Sequence, residues 1–251
     1  MKAGLIVKYD IADLLDVREA SDLRAMMQED FERRIGQKRF FRVTATPVNL
    51  GQISVDLDDS RLFGLLLQPP NPHGRRGGWD ARPLPPLQRT SWGLENERIE
   101  FHHMKFIKNG HLEFWTAIDH FFCWQQDAVE MKDHPRLYPY AVVEHPLSFV
   151  RLYRALADYL NVDGDVDFQM QYLNIQGAIL LPYQPESIGF MAPIDPIKPL
   201  VRERLLFQAK RFRKDFDPDL AALELIKDIY YEFGYGREHI PFFDETGHST
   251  L

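Results

Sequence analysis

A polar turn between two runs of aromatic and β-branched residues constrains the fold of this chain more than any other feature. The segment Arg98 to Trp124 reads RIEFHHMKFIKNGHLEFWTAIDHFFCW, with Asn109-Gly110 at its centre. Asn-Gly is the strongest short-range signal for a β-hairpin, because both residues tolerate the positive φ that a type I′ turn needs. Strand alternation then predicts that His102 and His103 point to opposite faces of the sheet, and that neither face is purely apolar.

Most of the other periodic segments predict helices that pack against this hairpin. Apolar residues recur at helical spacing, and stop signals such as Gly36 or cap signals such as Asp217-Pro218 bound them. The segment 59–68 fits a short helix or a buried strand equally well. The predicted fold is therefore α+β, a single compact domain with an antiparallel sheet flanked by helices. Helices are predicted over 21–35 (capped by Ser21), 147–161, 201–216 and 218–232. Strands are predicted over 39–47 and over 168–181, the latter as one long strand or as two with a bulge at Gly177.

Three segments follow from this pattern. Residues 1–36 form an N-terminal helical segment, residues 37–195 form the α+β core, and residues 196–251 hold two helices and a tail. The prolines and glycines of 68–93 predict a long loop within the core. A loop of this length in a compact domain is usually functional or mobile.

The long loop carries NPHGRRGGWDARP, which raises the question of phosphate binding. It matches neither the dinucleotide fingerprint G-x-G-x-x-G nor the P-loop G-x-x-x-x-G-K-S/T. A looser anion-binding nest around Arg75 and Arg76 stays open. The alternative is a solvated loop whose Trp79 folds back onto the core.

Charge and composition exclude several classes of protein. The formal net charge is -7, which argues against a dedicated nucleic-acid binder. The single cysteine, Cys123, allows no intramolecular disulfide, and its aromatic neighbours favour a small buried apolar residue. No apolar run approaches the ~20 residues of a membrane span, and the N-terminus lacks the features of a secretory signal. We expect a cytoplasmic protein.

Few motifs indicate chemistry. A zinc site needs three or four converging donors, whereas His102, His103, His111 and His120 are spread over both faces and both ends of the hairpin. No G-x-S-x-G or H-E-x-x-H sequence occurs. We therefore assign no catalytic residue, metal ligand or cofactor. A metal-dependent hydrolase or nuclease built on the His-rich hairpin remains an alternative, because catalytic groups assemble in space rather than in sequence.

The segment 201–216, VRERLLFQAKRFRKDF, is rich in basic residues. As a helix it would offer Arg204, Lys210, Arg211 and Lys214 to a nucleic acid. The alternative is a solvated face over buried leucine and phenylalanine residues, which the negative net charge favours.

Three stretches together resemble a known family. GRRGGWDARP, LENERIEFHHMKFIKNGHLEF and YPYAVVEHPLSFVRLYRALADYL resemble the C-terminal region of bacterial proteins with a Schlafen-type AlbA-like domain, over residues 40–183. In that family the N-terminal half is an ATP- or DNA-binding module, sometimes associated with regulation or antiviral defence. The residues before Phe40 are too few to contain it. The resemblance thus implies an accessory half, or a subunit that works beside a separate effector protein, and it carries over no catalytic residue.

We expect a non-enzymatic sensing or protein-interaction module of a bacterial regulatory or defence system. A small ligand or a partner protein would bind at the sheet and the long loop. The expected contacts are Arg75, Arg76, Trp79, His103 and Trp115.

Overall fold

A computed structural model describes residues 13–51, 55–69, 81–83, 86–96, 101–123, 134–180 and 199–251. The strands in this part of the chain are β1 (Phe40–Pro47), β2 (Leu87–Arg89), β3 (Gly93–Asn96), β4 (His102–Ile107), β5 (Leu112–Ala117), β6 (Arg136–Leu137), β7 (Val166–Leu173), β8 (Ile179–Leu180), β9 (Arg204–Leu206) and β10 (Lys210–Phe212). The helices are α1 (Asp13–Asp16), α2 (Ala20–Ile35), α3 (Ser60–Leu67), α4 (Ile118–Phe121), α5 (Pro139–Leu160) and α6 (Pro218–Glu232).

One antiparallel sheet organises the described residues. Its order is β10-β7-β1-β5-β4-β3-β2, and β9 lies beside β10 as a second partner of β7. β6 and β8 form a separate parallel pair. The α+β class, the antiparallel sheet and the single compact domain are therefore confirmed.

The central hairpin is confirmed, although its turn differs from the predicted type. β4 pairs with β5, with His103 opposite Trp115. Gly110 has φ of 87° and its N–H donates to the Ile107 carbonyl at 2.8 Å, whereas Asn109 does not take a positive φ. A three-residue loop with a left-handed glycine has this pattern. The Asn109 side chain instead accepts a hydrogen bond from the backbone N–H of His111 at 3.1 Å.

Helices cover both faces of the sheet, and the two covers differ. Three helices, α3, α5 and α6, pack on one face. The largest cluster of buried apolar residues, here called the main core, lies there and includes Phe41, Phe114 and Phe168. α2 covers the opposite face, where Phe31 and Ile35 meet Trp115. Consecutive residues of one strand therefore belong to different layers of the molecule.

Helix ends follow local chemistry in α6 and only partly in α2. The Asp217 side chain accepts from the N–H groups of Asp219 and Leu220, as expected of an N-cap before proline. α2 ends at Gly36, with φ of 59°, as predicted. The Ser21 cap is wrong: α2 begins after Glu19, which makes no side-chain cap, and Ser21 lies in the first turn.

The helix predicted over 201–216 is wrong. This segment forms the short edge strands β9 and β10, both of which pair with β7. Leu205 is buried while Arg204 and Leu206 are exposed, an alternation of period two. Pairing with β7 places Leu205 in the main core, and such tertiary contacts override helix propensity, which is only a weak preference.

Two further boundaries differ from the prediction. α5 begins at Pro139 rather than at 147 and contains Pro146, because the intervening apolar turn is buried in the main core. Proline is tolerated in the first turn, and burial outweighs the bond that Pro146 cannot make. The segment predicted as one strand or two over 168–181 forms two strands, because β7 ends at Leu173 and β8 follows at Ile179, and Gly177, with φ of 81°, lies in a turn rather than in a bulge. In the described ranges, no helix is both long and apolar enough to cross a bilayer.

Candidate functional site beneath helix α2

The strands of the sheet alternate apolar and polar residues, and the polar ones face α2. In β1, Phe41 and Val43 join the main core, so Arg42 and Thr44 lie on the opposite face. We call the polar set beneath α2 the polar face. It comprises Arg42, Thr44 and Thr46 of β1, Glu95 of β3, His103 and Lys105 of β4, Glu113 and Trp115 of β5, and Asp167, Gln169 and Gln171 of β7.

Strand pairing arranges these side chains in rows across the sheet. Opposite residues of an antiparallel pair have Cβ atoms about 4.5–5.5 Å apart, so members of a row are neighbours. The first row is Gln171, Arg42, Trp115 and His103, and the second is Gln169, Thr44, Glu113, Lys105 and Glu95.

A buried ion pair occupies the middle of the polar face. The Arg42 guanidinium donates two hydrogen bonds to Glu113 Oε2, one of them from Nε at 2.9 Å. The two side chains are only 2% and 1% exposed. Burial alone would raise the pKa of Glu113, but Arg42, His111 and Lys105 together outweigh it and hold that pKa far below its usual range. Glu113 is therefore an anion that the fold keeps out of water.

A second charged group lies beside the first. Lys105 Nζ is 2.7 Å from Asp30 Oδ2 of α2 and 3.8 Å from Glu95 Oε1. Arg34 of α2 binds both carboxylates, with Nη1 2.6 Å from Glu95 Oε1. Burial raises the pKa of Asp30. The nearby cations, Lys105 first and then Arg34, together lower this pKa by more than burial raises it, so the net shift is downward. Lys105 and Arg34 thus offset the charges of Asp30 and Glu95 under the helix, and Asp30 also pairs with the half-exposed Arg33.

The two sequence-predicted residues of the hairpin lie next to this group. The rings of His103 and Trp115 stack with centroids 4.0 Å apart and planes inclined by 16°. His103 Nε2 is 3.0 Å from Glu95 Oε1. Burial lowers the pKa of His103 while Glu95 opposes this shift, so the ring is neutral at pH 7. Both residues are fully buried, and a ligand would reach them only beneath α2.

Polar contacts join α2 to the sheet along its length. Arg24 Nη1 is 2.7 Å from Asp167 Oδ2. The Gln28 amide oxygen accepts from Arg42 and from Gln171, each at 2.6 Å. These contacts supplement the apolar side of the helix, which includes Phe31.

Several buried polar atoms of the polar face have no hydrogen-bond partner among the described residues. They are Thr44 Oγ1, Glu113 Oε1, Trp115 Nε1, Gln171 Oε1 and both ring nitrogens of His103, of which Nε2 is nevertheless within 3.0 Å of Glu95 Oε1. Thr44 is opposite Glu113 in the β1–β5 pairing, and Arg42 separates Trp115 from Gln171 in the first row. Acceptors and a donor therefore lie close together in a desolvated space.

The structure adds residues that the sequence prediction missed and leaves others untested. Arg75, Arg76 and Trp79 lie outside the described residues. Arg42 and Glu113 were missed, although the alternation in FRVTAT and LEFWTA is a signal for a strand with one polar face.

The four basic residues predicted to contact nucleic acid lie along the edge strands and just beyond them. Each pairs with an acid of the same chain: Arg204 with Glu32, Lys210 with Asp228 at 2.7 Å, Arg211 with Asp167 at 2.9 Å, and Lys214 with Asp163 at 3.1 Å. These pairs compete with phosphate contacts.

The histidines of the hairpin do not converge. His102 faces the main core, where it lies near Phe114, while His103 stacks on Trp115 across the sheet. His111 Nδ1 is 2.9 Å from Thr46 Oγ1. Within the part of the chain that the structure describes, no three His, Cys, Asp or Glu residues are placed to hold a metal ion.

One constellation near the C-terminus has the residue types of a hydrolytic triad. Thr246 Oγ1 is 2.8 Å from His248 Nδ1, and His248 Nε2 is 3.3 Å from Asp217 Oδ2. However, the Thr246 hydroxyl donates to Asp244 at 2.6 Å, so His248 is not placed to take its proton. Cys123 is no better a nucleophile, since burial raises its pKa to about 12.

Comparisons of the chain with protein-family models, curated proteins and solved structures find no match. The functional inference therefore depends on the residues of the polar face.

Proposed function

We propose that this chain is a non-enzymatic sensing module that binds a small polar ligand between α2 and the polar face. The resemblance to Schlafen-type proteins suggests a bacterial regulatory or defence system. In such a system, a partner effector protein would bind or release this chain when the ligand shifts the position of α2. The polar face carries the proposal, because it buries charges and unpartnered polar atoms where a helix normally meets an apolar sheet.

A structural role alone explains this arrangement poorly. Burying an ion pair such as Arg42–Glu113 costs about as much as its attraction returns, and a well-packed apolar pair of similar volume is often as stable or more stable. The opposite face of the same sheet is mostly apolar, with Phe41, Phe114 and Phe168 in its core, although it also buries His102 and Thr116. A binding role accounts for the polar groups, because a ligand that carries donors and acceptors satisfies Thr44, Glu113 and Trp115.

Native mass spectrometry and thermal shift test the proposal. We expect either a retained mass of hundreds of daltons or a higher melting temperature with at least one compound from a panel of amino acids, nucleosides, nucleotides and sugars. Thr44→Val should weaken that binding at least tenfold. Thr116→Val is the matched control, because its buried hydroxyl also has no partner in the part of the chain that the structure describes but faces the main core.

A bare mass with no active compound would contradict the proposal, and so would binding that Thr44→Val leaves unchanged.

The loop contacts have their own test. We expect Arg75→Ala combined with Arg76→Ala to abolish binding without lowering the melting temperature, and unchanged binding would remove the loop from the site.

A further inference from the structure

The charged groups beneath α2 are already paired with one another. Four anions of α2 and the polar face each lie within hydrogen-bond distance of a cation: Glu113 with Arg42, Asp30 with Lys105 and Arg34, Glu95 with Arg34, and Asp167 with Arg24. These four anions are met by four cations in the described part of the chain. Arg33 and Arg211, which are about half exposed, add contacts to Asp30 and Asp167 from the solvent side.

A charged ligand would disturb this pairing. A phosphate or carboxylate group placed beneath α2 would have to take a cation such as Arg42 from its present carboxylate, and Glu113 would then be buried without a counter-charge. Breaking a buried pair in this way is strongly destabilising. An uncharged ligand leaves every pair intact, so the pairing favours a ligand without charged groups.

Four of the polar atoms that have no partner among the described residues match hydroxyl groups. Glu113 Oε1 and Gln171 Oε1 only accept hydrogen bonds, Trp115 Nε1 only donates, and Thr44 Oγ1 does both. A ligand that satisfies all four atoms must therefore carry donors as well as acceptors. Each hydroxyl group supplies one donor and two acceptor lone pairs without any charge. Several hydroxyl groups on one small molecule meet this requirement.

The aromatic rings beneath α2 are already in contact with the protein's own side chains. The Trp115 ring stacks on His103, and its centroid lies 4.8 Å from that of Phe31. The guanidinium carbon of Arg42 lies 5.0 Å from the centroid of the Phe31 ring. A flat aromatic ligand such as a nucleobase is recognised largely by stacking, so it would have to displace one of these contacts. Hydroxyl groups need only the polar atoms, such as Trp115 Nε1.

We propose that the ligand bound between α2 and the polar face is an uncharged polyhydroxyl compound, such as a sugar or a cyclic polyol. This inference rests on the proposed function, because it names the ligand class of the same site. Hydroxyl groups of the compound donate to Glu113 and Gln171, one of its oxygens accepts from Trp115, and a further hydroxyl binds Thr44. Sugar phosphates, nucleotides and free amino acids fit less well, because the cations that would hold their phosphate or carboxylate groups are already paired.

Isothermal titration calorimetry of the full chain with matched compounds tests this inference. The probes are glucose, ribose and myo-inositol, the monophosphate of each, free serine and adenine. We expect at least one of the three uncharged polyols to bind, and its monophosphate to bind at least tenfold more weakly. Thr44→Val should weaken binding of that polyol at least tenfold. Thr44→Ser is the matched control, because it keeps the hydroxyl and should retain most of the affinity.

Two outcomes would overturn the inference, and they differ in what they mean for the proposed function. Suppose that a monophosphate, serine or adenine binds more tightly than every uncharged polyol, and that Thr44→Val abolishes this binding. The site beneath α2 would then stand and the ligand class would be wrong. If none of the probes binds, the ligand class is also wrong. The proposed function then fails with it only when native mass spectrometry and the wider panel of compounds are negative as well.

Discussion

The two faces of the sheet solve the same packing problem with different chemistry. On the α5–α6 face, Phe114 and its neighbours bury apolar area, which stabilises the fold without directional requirements. On the α2 face, the adjacent residue Glu113 is equally buried but depends on Arg42. The contrast shows that burial alone does not say what a sheet face is for. An apolar face tolerates substitutions that conserve volume, whereas a paired polar face depends on each partner.

Breaking the central ion pair should have the largest effect. Glu113→Gln leaves the Arg42 guanidinium buried without its counter-charge, and we expect a loss of about 3–5 kcal/mol in the free energy of unfolding. Urea denaturation measures this loss. The double variant Arg42→Met with Glu113→Leu should recover most of it, because it removes both charges together. A loss below about 1 kcal/mol for Glu113→Gln would show that water reaches the pair.

Truncation on the apolar face should cost a similar or smaller amount, and for another reason. Met104 precedes Lys105 in β4 but faces the main core. Met104→Ala removes buried methylene groups and leaves a cavity, which should cost about 2–5 kcal/mol. Met104→Leu, which conserves volume, should cost less than about 1.5 kcal/mol. Equal losses for the two variants would mean that this face also depends on specific contacts.

The pKa values of the consecutive residues His102 and His103 allow a second comparison of the two faces, because the two side chains point to opposite sides of the sheet. Burial alone lowers the pKa of His102 to about 4, whereas at His103 burial is opposed by Glu95. Below pH 6.5 the unfolded chain binds a proton that folded His102 does not, so stability should fall as the pH decreases from 6.5 to about 4. The His102 contribution to this fall is about 3 kcal/mol.

Urea denaturation at several pH values, with NMR titration of the two rings, checks this prediction. His102→Phe should reduce the fall in stability over that pH window. The carboxylates with lowered pKa values, such as Asp30, stabilise the fold while they are ionised. This contribution should be lost only at lower pH, since the carboxyls of the unfolded chain titrate there. A His102 ring that titrates near pH 6.5 would contradict its burial in the main core.

Locally encoded features could be predicted from the sequence. The Asn109-Gly110 turn brings two adjacent strands together, and Asp217-Pro218 starts α6, so neighbouring residues determine both elements. The class of fold followed from these elements and from the apolar periodicity.

The cover over the polar face could not be predicted in the same way. Alternation in β1 predicts a polar side for Arg42 and Thr44, which ordinarily faces water. Burial of that side requires the preceding helix α2 to fold back over the sheet and to place Gln28 and Asp30 above it, and the local alternation does not encode this docking. The helix prediction for the edge strands β9 and β10 was wrong for a related reason. Pairing with β7, and not the local sequence, makes these two strands extended.

The smallest expected effect is the sharpest comparison of the two faces. Thr44 and Thr116 each bury a hydroxyl that has no partner within the described ranges, on opposite faces of the neighbouring strands β1 and β5. Replacing such a hydroxyl with a methyl group removes a desolvation cost, so each valine variant of the ligand-free protein should change the free energy of unfolding by less than about 1 kcal/mol. The stability of the two variants can be compared by urea denaturation of protein refolded from denaturant and dialysed. A loss of more than about 1 kcal/mol for Thr44→Val alone would mean that the Thr44 hydroxyl has a structural partner, such as a buried water molecule. The polar face would then be a closed structural network rather than a place for a ligand.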